Sequence, residues 1–209
     1  MIKLLVIGDS YAGKTSLLNR FVNNKFERHY NALFRFFRTK VGDQEQALDL
    51  VQKSFLGCLE SMDRYDPERP FRAWLYGIAY RQLLKHFRDR ASEQARLDWG
   101  TVSARDLDPT PSSLLARSDE QRLLLEALRR IPLDMQIALE LHYWEQMSDA
   151  EIARTLGLAL GTAKSRIRRA RIVLNERLAE LAESPEQLRA TADNLEAWAR
   201  QLRDIALDG

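Results

Sequence analysis

An all-α fold is predicted for this chain by three observations. Apolar residues recur at three- and four-residue steps through most of the sequence, and two-residue alternation is scarce. Nine Gly and six Pro in 209 residues leave long stretches free for helices. Residues 92–118 lose the period and carry Gly100, Pro109, Pro111 and several Ser, so they read as a flexible linker between two small helical domains. With 45% hydrophobic and 30% charged residues the chain has material for a core and is not globally disordered.

Composition narrows the function before any motif is read. The single cysteine, Cys58, excludes an internal disulfide framework and a cysteine-rich zinc site. His29, His86 and His142 lie far apart, so neither a metal nor a cofactor is expected. The apolar run 2–7 is too short to span a bilayer, and no signal-cleavage pattern follows it; a cytoplasmic protein without a membrane partner is expected. Net charge is only +2, but the basic residues cluster, and clustering is what a nucleic-acid partner reads.

The chain opens with "GDSYAGKT", residues 8–15, which fits the phosphate-cradling pattern G-x-x-x-x-G-K-[ST]. Residues 1–26 resemble the first strand, phosphate loop and first helix of Ras-like and Rab-like small GTPases. That resemblance implies Lys14 on the phosphates and Thr15 on Mg²⁺. The rest of such a site is missing from the sequence. There is no second βαβ unit, no D-x-x-G switch and no N-K-x-D, the nearest string being Asn24-Lys25-Phe26-Glu27 inside the first helix. A lone strand cannot fix the loop, so residues 1–15 are expected to be a leader without nucleotide-binding function. The apolar positions Leu18, Phe21, Phe26, Tyr30, Leu33, Phe37 and Val41 run on without a break, so the first helix joins leader to domain.

The first domain is expected over 16–91. Gln44–Met62 has Ala47, Leu50, Val51, Phe55 and Leu59 on one helical face, Asp66–Pro70 is a proline-bounded loop, and Phe71–Arg90 is a second helix with Trp74, Ile78 and Leu84 as core candidates. The stretch "GDQEQALDLVQKSFLGCLESMDRYDPERPFRAWLYGIAYRQLLKHFRDR", 42–90, resembles region 2 of bacterial sigma factors of the extracytoplasmic-function (ECF) group. The resemblance implies that Asp49 and Gln52 bind the clamp helices of the largest subunit of core RNA polymerase. It also implies that Tyr65, Arg69, Phe71, Arg72, Trp74, Arg81 and Lys85 contact the −10 promoter element, where a flipped base needs a pocket and stacking surfaces. Two departures stand out. Leu48 and Lys53 occupy positions where relatives carry acidic residues beside the clamp-binding aspartate, and Arg81 stands where relatives often have Asn. One branch of the family that shares the first departure is switched on by a Ser/Thr kinase, so Ser54, or failing it Ser61, is the expected phosphorylation site.

The second domain is expected over 119–183. Ser148 with Glu151 three residues on is a capping box; Ile152, Ala153 and Leu156 face inward; Gly157 closes the helix. A second helix starting near Gly161 buries Ala163, Ile167, Ala170 and Leu174 and presents Thr162, Lys164, Ser165, Arg166, Arg168, Arg169 and Arg171. This helix-turn-helix resembles sigma region 4. The resemblance implies docking on the polymerase flap and reading of the −35 element, with Lys164, Ser165 and Arg168 as base readers and Arg166, Arg169 and Arg171 on phosphates. Residues 184–209 hold a further amphipathic helix, with Leu188, Leu195, Trp198, Leu202 and Ile205 along one side, expected to pack on the second domain, the alternative being that it docks on the first and silences it.

The order region 2, linker, region 4 makes a non-enzymatic sigma factor the expected function, with core polymerase, promoter DNA and either a Ser/Thr kinase or an anti-sigma factor as partners. A P-loop GTPase or ATPase and a stand-alone helix-turn-helix regulator are the alternatives. As a flexible coil the 27-residue linker spans roughly 30 Å and fully extended about 90 Å. Promoter elements one and a half duplex turns apart are separated by roughly 50 Å, within reach of a drawn-out tether.

Overall fold

The computed structural model describes residues 29–91, 97–109 and 118–192, together with residue 197. The phosphate-loop leader 1–15, with Lys14 and Thr15, and the far half of the C-terminal segment lie outside the described residues. The described residues are helical, with one isolated bridge pair, Ser103 and Pro132, and no strand.

The first domain consists of α1 (residues 29–38), α2 (Gln44–Glu60), a 3₁₀ turn (Met62–Arg64) and α3 (Phe71–Arg90). The Asp43 carboxylate caps α2 by accepting from the Glu45 N–H, satisfying one of the donors a helix start leaves free. Ala47, Leu50, Val51 and Phe55 are buried as their spacing predicts, and Leu59 is half-buried. Ser54 and Cys58 extend the same stripe inward, and burial pushes the Cys58 thiol up to about 12. Pro70 fixes the start of α3, which packs against α2 and buries Ile78, Leu83, Leu84 and Phe87.

The second domain consists of α5 (Asp119–Arg129), α6 (Leu133–Tyr143), α7 (Asp149–Leu156), α8 (Leu160–Leu181) and α9 (Pro185–Ala192). Ser118 caps α5 by accepting from the Gln121 N–H. The helix α9 packs on α5 and α8, so the described part of the C-terminal segment belongs to the second domain. Between the domains, 97–109 holds more structure than its sequence predicts. Ser103 and Asp106 form a capping box on the short helix α4 (Ala104–Leu107), Arg105 pairs with Glu126, and the Leu133 N–H donates to the Val102 carbonyl.

The two domains meet through a buried polar cluster. Lys40, just past α1, is fully buried, and each of its three N–H groups has an acceptor: the Phe36 carbonyl at 2.7 Å, the Thr39 hydroxyl at 2.9 Å and Glu140 Oε2 on α6. Glu140 Oε1 in turn accepts from Gln136 at 2.9 Å and lies 3.1 Å from the Thr39 hydroxyl. Arg35 pairs with Glu145 at 3.1 Å with 9% exposure on each side chain. Arg129, 1% exposed, donates to the carbonyls of Thr39 and Asp108, and the Asp108 carboxylate accepts from the Gly42 N–H. Phe36 meets Tyr76 edge-on at 5.2 Å alongside.

Two predictions follow from this packing. Gly157 has φ 69°, and a Cβ there would meet nothing within 4 Å, so Gly157→Ala isolates the backbone cost of the left-handed conformation. That cost is about 1 kcal/mol, and the thermal midpoint should fall by roughly 2–4 °C. Burial lowers the Lys40 ammonium from 10.5 to about 8 although Glu140 opposes the shift. Above about pH 8 the unfolded chain therefore holds a proton that the folded chain has released, and stability rises with pH toward 10.5. Measured by urea unfolding, the stability of wild type relative to Lys40→Met should increase between pH 7 and pH 9.5; a constant difference contradicts the burial of a charged Lys40.

Candidate nucleic-acid interface

The α7–α8 pair is built as its sequence predicts. Ser148 Oγ and its backbone N–H each lie 2.8 Å from Glu151 Oε2, and these bonds hold the Glu151 carboxyl below the usual carboxylate range. The Gly157 N–H donates to the carbonyls of Ala153 and Arg154, ending α7 in the left-handed turn that re-aims the chain into α8. Ala163, Ile167, Ala170, Leu174 and Leu178 form the buried side of α8. That stripe decides which residues face solvent: Thr162, Lys164, Ser165, Arg168, Arg169 and Arg171 are all exposed. The Ser165 hydroxyl donates to the Thr162 carbonyl at 3.0 Å.

Arg166 differs from the phosphate-contact role expected of it. Its guanidinium lies 3.2 Å from Asp134 Oδ2, with side-chain exposures of 20% and 12%. Burial raises the Asp134 carboxyl and Arg166 draws it back down. Arg166 thus fastens the recognition helix to the start of α6.

On α2, Asp49, Gln52, Lys53 and Leu56 share one exposed face. Lys53 pairs with Asp49 at 2.6 Å, both about half exposed, so the departure seen in the sequence takes up part of the charge of the aspartate expected to meet the clamp. Leu56, 54% exposed, was not singled out by the sequence reading. Its signal is an apolar residue four positions after Gln52, on the polar side of the α2 pattern. Ser54 is a correction: it is fully buried and its hydroxyl donates to the Leu50 carbonyl at 2.7 Å, so a kinase has no access to it in this fold. Ser61 is half-buried and its hydroxyl donates to the Gly57 carbonyl.

Around the start of α3 the expected −10 residues divide. Tyr65, Phe71 and Trp74 form an aromatic cluster with centroids 4.7–5.9 Å apart. Phe71 is 6% exposed and belongs to the core, whereas Tyr65 and Trp74 are half-buried at its edge. Arg69, Arg81 and Lys85 are exposed, and Arg69 pairs with Asp66 at 3.0 Å. Arg69, Trp74 and Arg81 line a cleft of about 120 Å³ that Arg154 and Thr155 of α7 close from the other side. Arg72 points into the second domain, 3.8 Å from Glu151 and 3.5 Å from the Gln146 carbonyl.

A capped helix-turn-helix with a basic outer face, joined to a helical domain that carries an aromatic and basic edge, defines a two-domain DNA-reading transcription factor. Residues 26–93 match the family model of Sigma-70 region 2, and residues 121–174 match that of Sigma-70 region 4. The chain is 33% identical to the ECF RNA polymerase sigma factor SigE of Mycolicibacterium smegmatis, over 73% of this chain and 60% of SigE. It is 31% identical to SigL of Mycobacterium tuberculosis, over 75% of this chain and 88% of SigL. The fold is similar to that of the sigma factor RpoE bound to the anti-sigma factor NepR from Bartonella quintana, with TM-score 0.59 and 24% identity over 75% of this chain and 96% of that one. It is also similar to CnrH bound to the cytosolic domain of CnrY, with TM-score 0.56 and 26% identity over 78% and 91%. The chain belongs to the sigma-70 family of RNA polymerase sigma factors, in its ECF group, and is a transcription initiation factor rather than an enzyme. Among the described residues no helix is long and apolar enough to cross a membrane.

The different settings of Arg166 and Arg168 predict different costs. Arg166→Ala should destabilise the chain by about 2 kcal/mol, less than the roughly 3–5 of a fully buried pair. Arg168→Ala should stay within about 0.5 kcal/mol of wild type, as exposed positions do. Urea unfolding of both variants checks the contrast.

Proposed function

We propose that the chain recruits core RNA polymerase through α2 and reads two promoter elements, the −10 element with α3 and the −35 element with α8. The observation that carries the reading is the one-sided exposure of Thr162, Lys164, Ser165, Arg168, Arg169 and Arg171 on a helix whose other side is apolar. Lys164, Ser165 and Arg168 lie toward the N-terminal part of α8, the part that enters a major groove, and are the base readers. Arg169 and Arg171 hold phosphates. On the −10 side Arg69, Arg81 and Lys85 supply charge while Tyr65 and Trp74 supply stacking surface; Phe71 supports them from the core. Asp49 and Gln52 meet the clamp helices with Leu56 as the apolar part of the contact, and the second domain docks on the flap. The setting is the cytoplasm. The sigma factor RpoE solved with the anti-sigma factor NepR, and CnrH solved with the cytosolic domain of CnrY, support a protein partner of the anti-sigma kind.

Reconstituted transcription with core polymerase tests the proposal. Asp49→Ala should weaken polymerase binding about tenfold, and Lys53→Gln, which frees Asp49, should tighten it several-fold. Lys164→Ala and Arg168→Ala should each cost roughly 1–3 kcal/mol of −35 discrimination. Arg169→Ala should weaken DNA binding across sequences and reduce the salt slope by about one. Transcription that ignores all of these changes removes the reading. Specific duplex binding without polymerase would favour a stand-alone regulator, and nucleotide binding lost on Lys14→Ala would favour a P-loop nucleotidase.

A further inference from the structure

The recognition helix opens on a leucine that the core does not use. Leu160, the first residue of α8, is 46% exposed and is one of three large apolar side chains left open among the described residues, with Leu56 and Ile172. The apolar anchor of the turn before it is Leu158, which packs against the core. Three residues further on, Ala163 is fully buried and begins the stripe of Ala163, Ile167, Ala170 and Leu174. Leu160 stands one turn ahead of that stripe, with its side chain largely in solvent.

Its neighbours leave it room to reach outward. Ala159 and Gly161 flank it, and a Cβ on Gly161 would meet nothing within 4 Å. The first turn of α8 holds no acidic residue, so no charge there repels a phosphate. Leu160, Lys164 and Arg168 follow at four-residue steps and all three are exposed, so they line one row of the helix surface. Each step advances about 6 Å along the axis, a little under two base-pair spacings of roughly 3.4 Å. The Arg166–Asp134 pair fastens this part of α8 to α6, so the row is carried on a fixed element.

We propose that Leu160 is a specificity-determining residue whose side chain packs on the C5-methyl group of a thymine in the −35 element, at the position met by the leading turn of α8. The inference rests on the assignment of α8 to the −35 element and deepens it by fixing the chemistry read at one further position. The thymine methyl is the one apolar group that a base pair presents in the major groove, and an isobutyl side chain has nothing else to read there. A cytosine in the same place would set its amino group against Leu160, which offers no acceptor for the lost hydration. Lys164 and Arg168, one and two turns behind, read donors and acceptors, so the row combines two chemistries along one edge.

The test uses the full chain assembled with core polymerase. Selection from a promoter library randomised at both elements gives the preferred −35 sequence. Each thymine in it is then replaced by uracil, which removes only the methyl, and binding is compared. One thymine should lose about fourfold in affinity on this replacement, as the loss of one buried methyl group requires. In Leu160→Ala the same replacement should leave affinity nearly unchanged, and a fresh selection should lose the thymine preference at that position alone. Leu160→Met, which keeps the apolar reach, should retain both. Ile172→Ala should retain both as well, because Ile172 is 51% exposed on the same row but about 18 Å further along α8. If Leu160→Ala loses helical circular dichroism, Leu160→Gln, which keeps the length without the apolar end, gives the same readout. Absence of any uracil-sensitive thymine, or a sensitivity that survives Leu160→Ala, overturns the proposal. Failure of the −35 assignment itself is distinguishable, because Lys164→Ala and Arg168→Ala would then leave the selected sequence unchanged.

Discussion

Much of this structure depends on one buried ionic contact, the approach of Lys40 to Glu140. An ammonium with no exposure is tolerable only when every proton has an acceptor, and here the acceptors come from three places: the turn of α1, the Thr39 side chain and the facing helix α6. The same requirement fixes the relative placement of the helices, because a shift of either would strand a charge. Phe36 supplies apolar surface beside it, and the Lys40 ammonium lies 3.8 Å from the centre of the Phe36 ring. Apolar packing alone would tolerate several docking angles. The ionic pair selects one, at a cost in desolvation that keeps the contact reversible.

The two reading surfaces owe their separation into exposed and hidden residues to simple periodicity. On α8 the steps Ala163, Ile167, Ala170, Leu174 leave a continuous outer face, and basic residues occupy it without penalty because they stay exposed. Arg166 sits at the margin of the stripe and finds Asp134, which the first turn of α6 brings within 3.2 Å. One residue in a run of arginines is thereby committed to a structural contact. On α3 the start of the helix separates Phe71, its first residue and buried, from Arg69, still in the loop before the helix and exposed.

How much of this was legible in the sequence follows from what each feature depends on. The limits of α3, the Ser148–Glu151 box, the Gly157 stop and the buried side of α8 are local, and local pattern placed them correctly. Ser54 was misread because its small polar side chain bonds its own helix backbone at Leu50 and so passes into the core, an outcome that residue type does not announce. Lys40 and Glu140 were passed over because each looks like a surface charge in its own segment. The only trace is that "IALELHYW" sets Glu140 between Leu139 and Leu141 at a position that its helix buries. Their partnership spans 100 residues, and one sequence holds no record of it.

The linker adds a constraint on how the domains can part. Residues 97–109 are tied to the second domain through Arg105–Glu126, the Leu133 N–H to Val102 bond and Arg129 on the Asp108 carbonyl, whereas Gly42 to Asp108 is the tie back to the first domain. If only the Gly42 tie and the Lys40 cluster release, the connection between the domains is residues 92–96, which extend to at most about 18 Å. That length leaves the reading faces little room to reach elements roughly 50 Å apart. Full separation therefore draws 97–109 off the second domain as well. The ties that must yield suit that step: the Arg105–Glu126 pair is partly exposed, so water replaces it at little cost. Arg129 is different, being almost wholly buried beneath both Thr39 and Asp108. Once those carbonyls leave, its guanidinium meets solvent on the newly bared face of α5. A separation of the domains would therefore bare a further positive charge on α5.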